Sequence, residues 1–216
     1  MKAKWKLCIF TLGAALFMAP STQSWAGLIA INSSQTNLGI NDVVQITFDI
    51  SGLTGSANDS LGGFDLDITY DQSTLQLQSF SFLNPASSNN QLDLPEPPPF
   101  PFLGTVSATG GIVDAFALSG NSSSFLDAQQ LDSFSFLSLN FLALAATSST
   151  TVAIDLSDPN LVFSDPTGGD LPITFRNSSV NLQVSDGSNT VPSPGVLSLL
   201  MIGGIGMVFS KRRVKH

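Results

Sequence analysis

The chain is poor in the side chains that most catalytic and metal sites require. Among its 216 residues there are one Cys and one His. Cys8 lies near the N-terminus and His216 is the last residue, so the stretch between Gly27 and Thr190 contains neither. This excludes imidazole-dependent nucleophilic catalysis, thiol catalysis, zinc fingers and disulfides from that stretch.

Basic side chains are also scarce in the central stretch. All sixteen carboxylates lie between Gly27 and Thr190, where Arg176 is the single base, so sixteen acids against one base leave a net charge of −15. A body of this sign repels phosphates, which argues against nucleic acids and anionic membrane surfaces as its partners. The length suits one domain with short terminal segments.

Residues 1–26 have the pattern of a secretory signal peptide. Three lysines precede an apolar run over residues 7–19, and the small residues Ser24 and Ala26 follow in an S-x-A arrangement. The pattern predicts cleavage by signal peptidase between Ala26 and Gly27. An uncleaved anchor is the alternative, but the apolar run is shorter than the ~20 residues of a membrane-spanning helix.

The C-terminal end carries a second targeting pattern. A polar linker over residues 185–190 leads to a segment over 191–216, which contains an uncharged apolar helix at 195–209 and a basic tail. Fifteen helical residues extend about 22 Å, short of a ~30 Å hydrocarbon core. The basic tail would stay in the cytoplasm while the body lies outside. The pattern predicts a transient membrane anchor.

The last 26 residues resemble the PEP-CTERM sorting signal. Pro192 and Pro194 match the proline box of that family, Arg212 and Arg213 match its basic end, and Ser193 stands where the family usually has Glu. The resemblance implies export in a Gram-negative bacterium, recognition and cleavage by an exosortase, and delivery to the outer cell surface or an exopolysaccharide matrix. An ordinary C-terminal tail anchor is the alternative.

Between these ends the dominant hydrophobic period is two, which is typical of strands with one wet face. Two runs change phase midway, at residues 75–82 and 134–143, which indicates bulges or strands buried on both faces. No segment has a convincing helical period, and the proline-rich stretch 84–101 is expected to be a surface loop. We therefore predict a single all-β sandwich or jelly roll of about nine strands over residues 27–184.

Two segments of this domain resemble the cohesin and cellulose-binding-like superfamily. The first is Ile40–Ile46, which stands where the family has a strand that starts with Gly-Asp-x-Val-x-Val. The second is Gly63–Asp71, which matches a family strand that ends in Asp. The resemblance implies a nine-stranded jelly roll that binds other molecules: cohesins dock dockerins, and the related cellulose binders use a flat aromatic strip. Residues 27–190 contain no Trp and a single Tyr, Tyr70, which lies on the predicted core face. Protein docking is therefore favoured over tight glycan binding.

Three carboxylates form the candidate metal site. Asp65 and Asp67 alternate on one strand and so share a face, and Asp71 follows the strand end. Such oxygen ligands suit Ca²⁺, although a solvated acidic face is the alternative. A glycosidase-like pair of carboxylates is the least favoured interpretation, and Glu96 is the only Glu.

These observations predict an exported, non-enzymatic binding or adhesion protein without a required cofactor. Its expected ligand is an extracellular protein or a matrix polysaccharide. The alternatives are a calcium-assisted carbohydrate-binding module and a secreted hydrolase.

Overall fold

The computed structural model describes residues 27–54, 58–99 and 101–186, which contain twelve strands and one short helix. The elements are β1 (Gly27–Ser33), β2 (Asn37–Gly39), β3 (Val43–Ser51), β4 (Gly63–Thr69), β5 (Leu75–Ser81), β6 (Leu103–Thr109), β7 (Ile112–Leu118), α1 (Ser123–Gln129), β8 (Ser133–Ala143), β9 (Thr147–Ile154), β10 (Val162–Ser164), β11 (Ile173–Asn177) and β12 (Ser179–Ser185). The prediction of a mainly β protein is confirmed.

The strands form two sheets on either side of one hydrophobic core. Sheet A has the order β11-β1-β3-β8-β5, and sheet B has the order β2-β12-β9-β4-β7-β6. The short strand β10 also pairs with β4. The pairings β1 with β11 and β2 with β12 are parallel. This arrangement confirms the predicted sandwich.

The predicted number of about nine strands is too low. Within the described residues, β2 and β10 have three residues each and β11 has five. A two-residue alternation cannot be recognised over so few positions, because the period needs several repeats to stand out. The longer strands follow the prediction: in β3, for example, alternate side chains are fully buried, namely Val44, Ile46, Phe48 and Ile50.

Both predicted phase changes are β-bulges. In β5 the pairing with β8 shifts between Leu77 and Ser79. In β8, Leu137 pairs with Phe48 while Ser135 pairs with Asp49, so Phe136 is the additional residue. Phe136 and Leu137 are both buried, as expected where a bulge turns two successive side chains towards the core.

Phenylalanine rings fill the space between the sheets. The ring of Phe64 lies 4.8 Å from that of Phe136 and 6.4 Å from that of Phe163, measured between centroids. Tilted and edge-to-face contacts of this kind are favourable for aromatic pairs. The strand beside β4 adds only small side chains to this layer, namely Val113, Ala115 and Ala117 of β7.

The described part of the proline-rich stretch 84–101 is a surface loop, as predicted, and it is attached to the body at a few buried positions. The side-chain amide of Asn121 donates to the carbonyl of Leu94 at 2.8 Å, and that of Gln130 donates to the carbonyl of Gln91 at 3.0 Å. Leu92 is buried in the core. These amides satisfy backbone groups that would otherwise need water, so the stretch covers one end of the sandwich.

The helix α1 was not predicted from the sequence. It has seven residues, of which only Leu126 is buried, so no helical period can be recognised. It lies between β7 and β8 and therefore connects sheet B to sheet A.

The sequence predictions for the two ends lie outside the described residues. This applies to residues 1–26 with Ala26, to the linker beyond Asp186, to the apolar helix 195–209, and to the sorting residues Pro192, Ser193, Pro194, Arg212 and Arg213. Strand β12 includes Ser185, where the linker was expected to start. Within the described ranges, no helix has the length and apolar character needed to cross a membrane.

Replacing Phe136 with Ala should lower the free energy of unfolding by about 3–5 kcal/mol, because the substitution removes a buried ring and leaves a cavity. Urea unfolding followed by circular dichroism measures the loss. The control is Leu156→Ala, at a side chain that is 53% exposed, which should change the stability by less than about 0.5 kcal/mol. Equal losses in the two variants would contradict the assigned core.

Candidate functional site

The outer face of sheet A is mostly polar, with Val43 as an exposed apolar side chain, and its polar groups bond to one another. The side-chain amide of Asn32 donates to Asp49 at 2.6 Å, and that of Asn140 donates to Ser79 at 2.9 Å. Each bond joins neighbouring strands, β1 to β3 and β8 to β5. These polar groups already have partners on their own sheet, so they gain little by contacting another molecule.

The outer face of sheet B has a different character, which β7 determines. Because this strand directs its small side chains into the core, the alternate set Ile112, Asp114, Phe116 and Leu118 faces outwards. Ile112 is 40% exposed and Leu118 is 43% exposed. Large apolar groups are therefore presented to solvent by a strand that is paired on both sides.

Four outward side chains form what we call the apolar patch: Leu103 of β6, Phe116 and Leu118 of β7, and Val162 of β10. Leu103 is paired with Leu118, and Asp65 is flanked by Phe116 on one side and Val162 on the other. A pocket of about 350 Å³ opens on this patch. An exposed apolar cluster with a polar border is typical of an interaction site.

Gly63 keeps the floor of this pocket open. It is paired with Leu118 on one side and with Ser164 on the other. A Cβ atom at this position would lie 2.8 Å from the backbone oxygen of Ala117 and 3.1 Å from the Leu118 side chain. Any larger residue would therefore displace its neighbours and fill the pocket.

Beside the apolar patch lies what we call the acidic band, formed by Asp65, Asp67, Asp114, Asp155 and Asp158. Asp67 is directly paired with Asp114 across β4 and β7. The backbone N–H of Asp155 donates to the carbonyl of Asp67 at 2.8 Å, which brings the loop after β9 alongside β4. Carboxylates from three segments thus meet on one face.

The carboxylates at the centre of the band repel one another. Burial raises the pKa of Asp65 above its ordinary value of 3.8, and the charges of Asp114 and Asp158 raise it further. Burial also raises the pKa of Asp67, followed by the charges of Asp158, Asp114, Asp155 and Asp65. The one base of the central stretch, Arg176, lies on β11 in the other sheet. The band is therefore a concentration of negative charge without a neighbouring cation of its own sheet.

The structure does not group Asp71 with the other two candidate calcium ligands. Asp65 and Asp67 share the outer face, whereas the carboxylate of Asp71 accepts hydrogen bonds from the hydroxyl and the backbone N–H of Ser73, at 2.6 and 2.9 Å. These bonds lower the pKa of Asp71. Across the described ranges no group of three acidic, His or Cys side chains is arranged to hold a metal ion. Calcium binding at these residues stays a prediction.

Glu96 has a structural contact. Its carboxylate accepts hydrogen bonds from the backbone N–H of Ser122 at 2.7 Å and from the Ser122 hydroxyl at 2.5 Å, and these bonds lower its pKa. The contact fastens the proline-rich stretch to the residue before α1. The carboxylate is therefore engaged in holding this end of the sandwich together.

The apolar patch was not recognised in the sequence. The segment Ile112–Leu118 is apolar on both of its faces, so the hydrophobic pattern does not reveal which face is buried. The one available signal is Asp114. Because Asp114 shares its face with Phe116 and Leu118, its charge places all three on the solvent side.

The fold is similar to that of solved cohesin domains. A type II cohesin domain from the cellulosome of Acetivibrio cellulolyticus has a TM-score of 0.54 and 14% sequence identity, covering 73% of this chain and 95% of that one. The cohesin of a type II cohesin–X–dockerin complex from the same organism has a TM-score of 0.54 and 15% identity, covering 74% and 99%. CaCohA2 from Clostridium acetobutylicum has a TM-score of 0.52 and 14% identity, covering 76% and 94%.

At these identities the similarity defines the fold, which is that of cohesin domains. No protein-family model and no curated protein matches the chain.

Replacing Asp65 and Asp67 with Asn should stabilise the protein at neutral pH. A carboxyl whose pKa is raised on folding opposes folding once it is ionised, so the gain is complete above the raised folded pKa and disappears as the pH falls to the ordinary value of 3.8. Thermal unfolding at a series of pH values measures it.

The control Asp71→Asn should have the opposite effect. The pKa of Asp71 is lowered on folding, so the carboxylate stabilises the fold above pH 3.8, and this stabilisation is lost as the pH falls through the lowered value. If all these variants changed the stability in the same direction, the repulsion assigned to the acidic band would be wrong.

Proposed function

We propose that this chain is an exported, non-enzymatic docking module that binds a protein partner through the outer face of sheet B. The observation that carries the proposal is the contact between the apolar patch and the acidic band on that face. The patch supplies apolar area that loses water on binding, and the band supplies charge that selects the partner.

The fold supports protein docking. One of the similar structures is a cohesin in a type II cohesin–X–dockerin complex, so a domain of this architecture takes part in a protein assembly in that case. The likeness concerns the fold alone, so the support for a docking surface on this chain comes from its own residues.

The charge of the face indicates the chemistry of the partner. With carboxylates of raised pKa at its centre, the acidic band is best met by Lys or Arg side chains, and the apolar patch by Leu, Met or aromatic side chains. A cation at Asp67 would relieve the repulsion from Asp114 and Asp158. Long-range attraction of this kind speeds association and weakens as salt shortens the screening length from about 8 Å at physiological strength to about 3 Å at 1 M.

Protein docking is better supported than glycan binding. Tyr70 packs on Phe141 with ring centroids 5.0 Å apart, and Phe116 is the single aromatic side chain of the apolar patch. Among the described residues of this face, no flat strip of several rings forms, and a crystalline glycan surface requires such a strip. Glycan arrays with and without Ca²⁺ test the alternative of calcium-assisted carbohydrate binding.

Export and sorting are the second part of the proposal. Residues 1–26 would direct secretion, and cleavage after Ala26 would leave every described strand intact, since the first of them spans Gly27–Ser33. At the other end, the Pro192-Ser193-Pro194 box, the apolar run and Arg212-Arg213 would hold the protein in the membrane until an exosortase removes the tail. The mature domain would then reach the outer surface or the extracellular matrix of a Gram-negative bacterium.

Photocrosslinking tests the docking face. With p-benzoylphenylalanine in place of Leu118, illumination of the producing cells should yield one main adduct with a different protein, because this side chain lies on the apolar patch. The matched control is the same replacement at Thr47, in the middle of the outer face of sheet A, which should give no such adduct.

The Leu118 adduct should disappear when Asp65 and Asp67 are both changed to Lys, because the partner's cations would then be repelled. Equal adducts at the two positions, or none at Leu118, would contradict docking on this face. An adduct of the chain with itself indicates self-association and not a partner.

Mass spectrometry of the protein recovered from outside the cell tests the sorting proposal. The expected mature chain begins at Gly27 and ends near Pro192. Changing both Pro192 and Pro194 to Ala should leave the tail attached and the protein in the membrane fraction, whereas the same change at Pro98 and Pro99 should leave maturation unaltered. Recovery of the untrimmed chain from the cytosol would refute the proposal.

A further inference from the structure

Strand β6 leaves one of its edges unpaired within the part of the chain that the structure describes. It pairs with β7 at all seven positions without a register shift, and it ends sheet B. Five of its seven residues are exposed. The N–H and C=O groups on the free edge are a template on which another strand can pair.

The other terminal strands of the two sheets have features that discourage such pairing. At the ends of sheet A, β11 is short and carries Arg176, and β5 is interrupted by a bulge between Leu77 and Ser79. At the other end of sheet B, β2 has three residues. Short length, charge and bulges are the usual means by which proteins protect a sheet edge.

β6 has none of these protections. Its sequence, Leu-Gly-Thr-Val-Ser-Ala-Thr, contains no charged residue and no proline, and the strand is regular over its whole length. Most side chains of this strand are small, so they leave room for another strand to approach the edge closely. An edge that is long, regular and uncharged is suited to being paired.

We propose that β6 pairs in antiparallel orientation with β6 of a second copy of this chain, which joins two copies of sheet B edge to edge. Pairing centred on Val106 covers all seven residues. It places Thr105 opposite Ser107 of the second copy, and Gly104 opposite Ala108. Cross-strand hydroxyl pairs are favourable, and no two like charges lie opposite each other.

Charge restricts the place at which a second copy can bind, and the uncharged, self-complementary sequence of β6 favours a second copy as the occupant. Two bodies with a central charge of −15 repel each other unless they meet where charge is absent. On the neighbouring strand the outward carboxylate is Asp114, which is paired with Ser107. Its counterpart in the second copy would lie three strand spacings away, about 14 Å, which exceeds the ~8 Å screening length at physiological salt.

This pairing goes beyond the proposed docking function and does not require the docking partner. It would place two apolar patches and two acidic bands on one continuous face of a larger sheet. A partner with two binding segments would then be held by both copies, which raises its effective concentration at the second site.

Sedimentation velocity of the mature protein, as released by the producing cells, tests the proposal across the micromolar range. The wild type should reach twice the monomer mass as its concentration rises. The double variant Thr105→Lys with Ser107→Lys should remain a monomer, because it places lysines opposite each other across the two-fold axis. The matched control is Ser149→Lys with Thr151→Lys, which adds the same charge to the outer face of sheet B on β9. Because β4 and β7 separate β9 from β6, this variant should still dimerise.

Amide hydrogen exchange of the wild type gives a second readout that needs no variant. The amides of β6 should exchange more slowly at dimer-forming concentrations than at low concentration, whereas those of β5 should not change. A wild type that stays monomeric, a dimer in which β6 is not protected, or a β6 double variant that still dimerises would each overturn the proposal. Dissociation of the β9 control would also overturn it, since added charge alone would then be the cause.

Discussion

The size match between β4 and β7 in the core is the constraint on which the apolar patch depends. β4 directs Phe64, Leu66 and Ile68 inwards, and Phe64 contacts the aromatic rings of the opposite sheet and of β10. The neighbouring inward positions of β7 are left to Val and Ala, because a close-packed interior has no room for a second row of large side chains. The large residues of β7 then face solvent, and the apolar patch is the result.

The proline-rich stretch and α1 make the end of the sandwich rigid through side-chain amides. Asn121 and Gln130 each bond to backbone groups of segments far away in the sequence, at Leu94, Gln91 and Leu61. Where the chain crosses between sheets A and B, these side-chain bonds hold the crossing segments together. The proposed docking face therefore belongs to a body that is held together at this end by such bonds, which favours a preformed surface over one that orders on binding.

The sequence predicts the sandwich well because alternation is repeated many times in the long strands. β3, β4 and the phase changes in β5 and β8 follow directly from it. It predicts the short strands and α1 poorly, because three to seven residues contain too few repeats. For the site, the shared face of Asp65 and Asp67 was predictable from parity. The arrival of Asp114, Asp155 and Asp158 beside them was not, because it depends on which strands become neighbours, and the local sequence does not encode that choice.

The near absence of basic residues from the folded domain has a consequence for its survival outside a cell. Trypsin-like proteases cut after Lys or Arg, and the domain offers them a single peptide bond, the one after Arg176. That bond lies within β11, where the flanking Phe175 and Asn177 are paired with β1. A protease must first pull this strand out of the sheet before the bond fits its cleft. We therefore expect the folded domain to be cut slowly by this class of enzymes, through composition and strand placement and without a disulfide in residues 27–190.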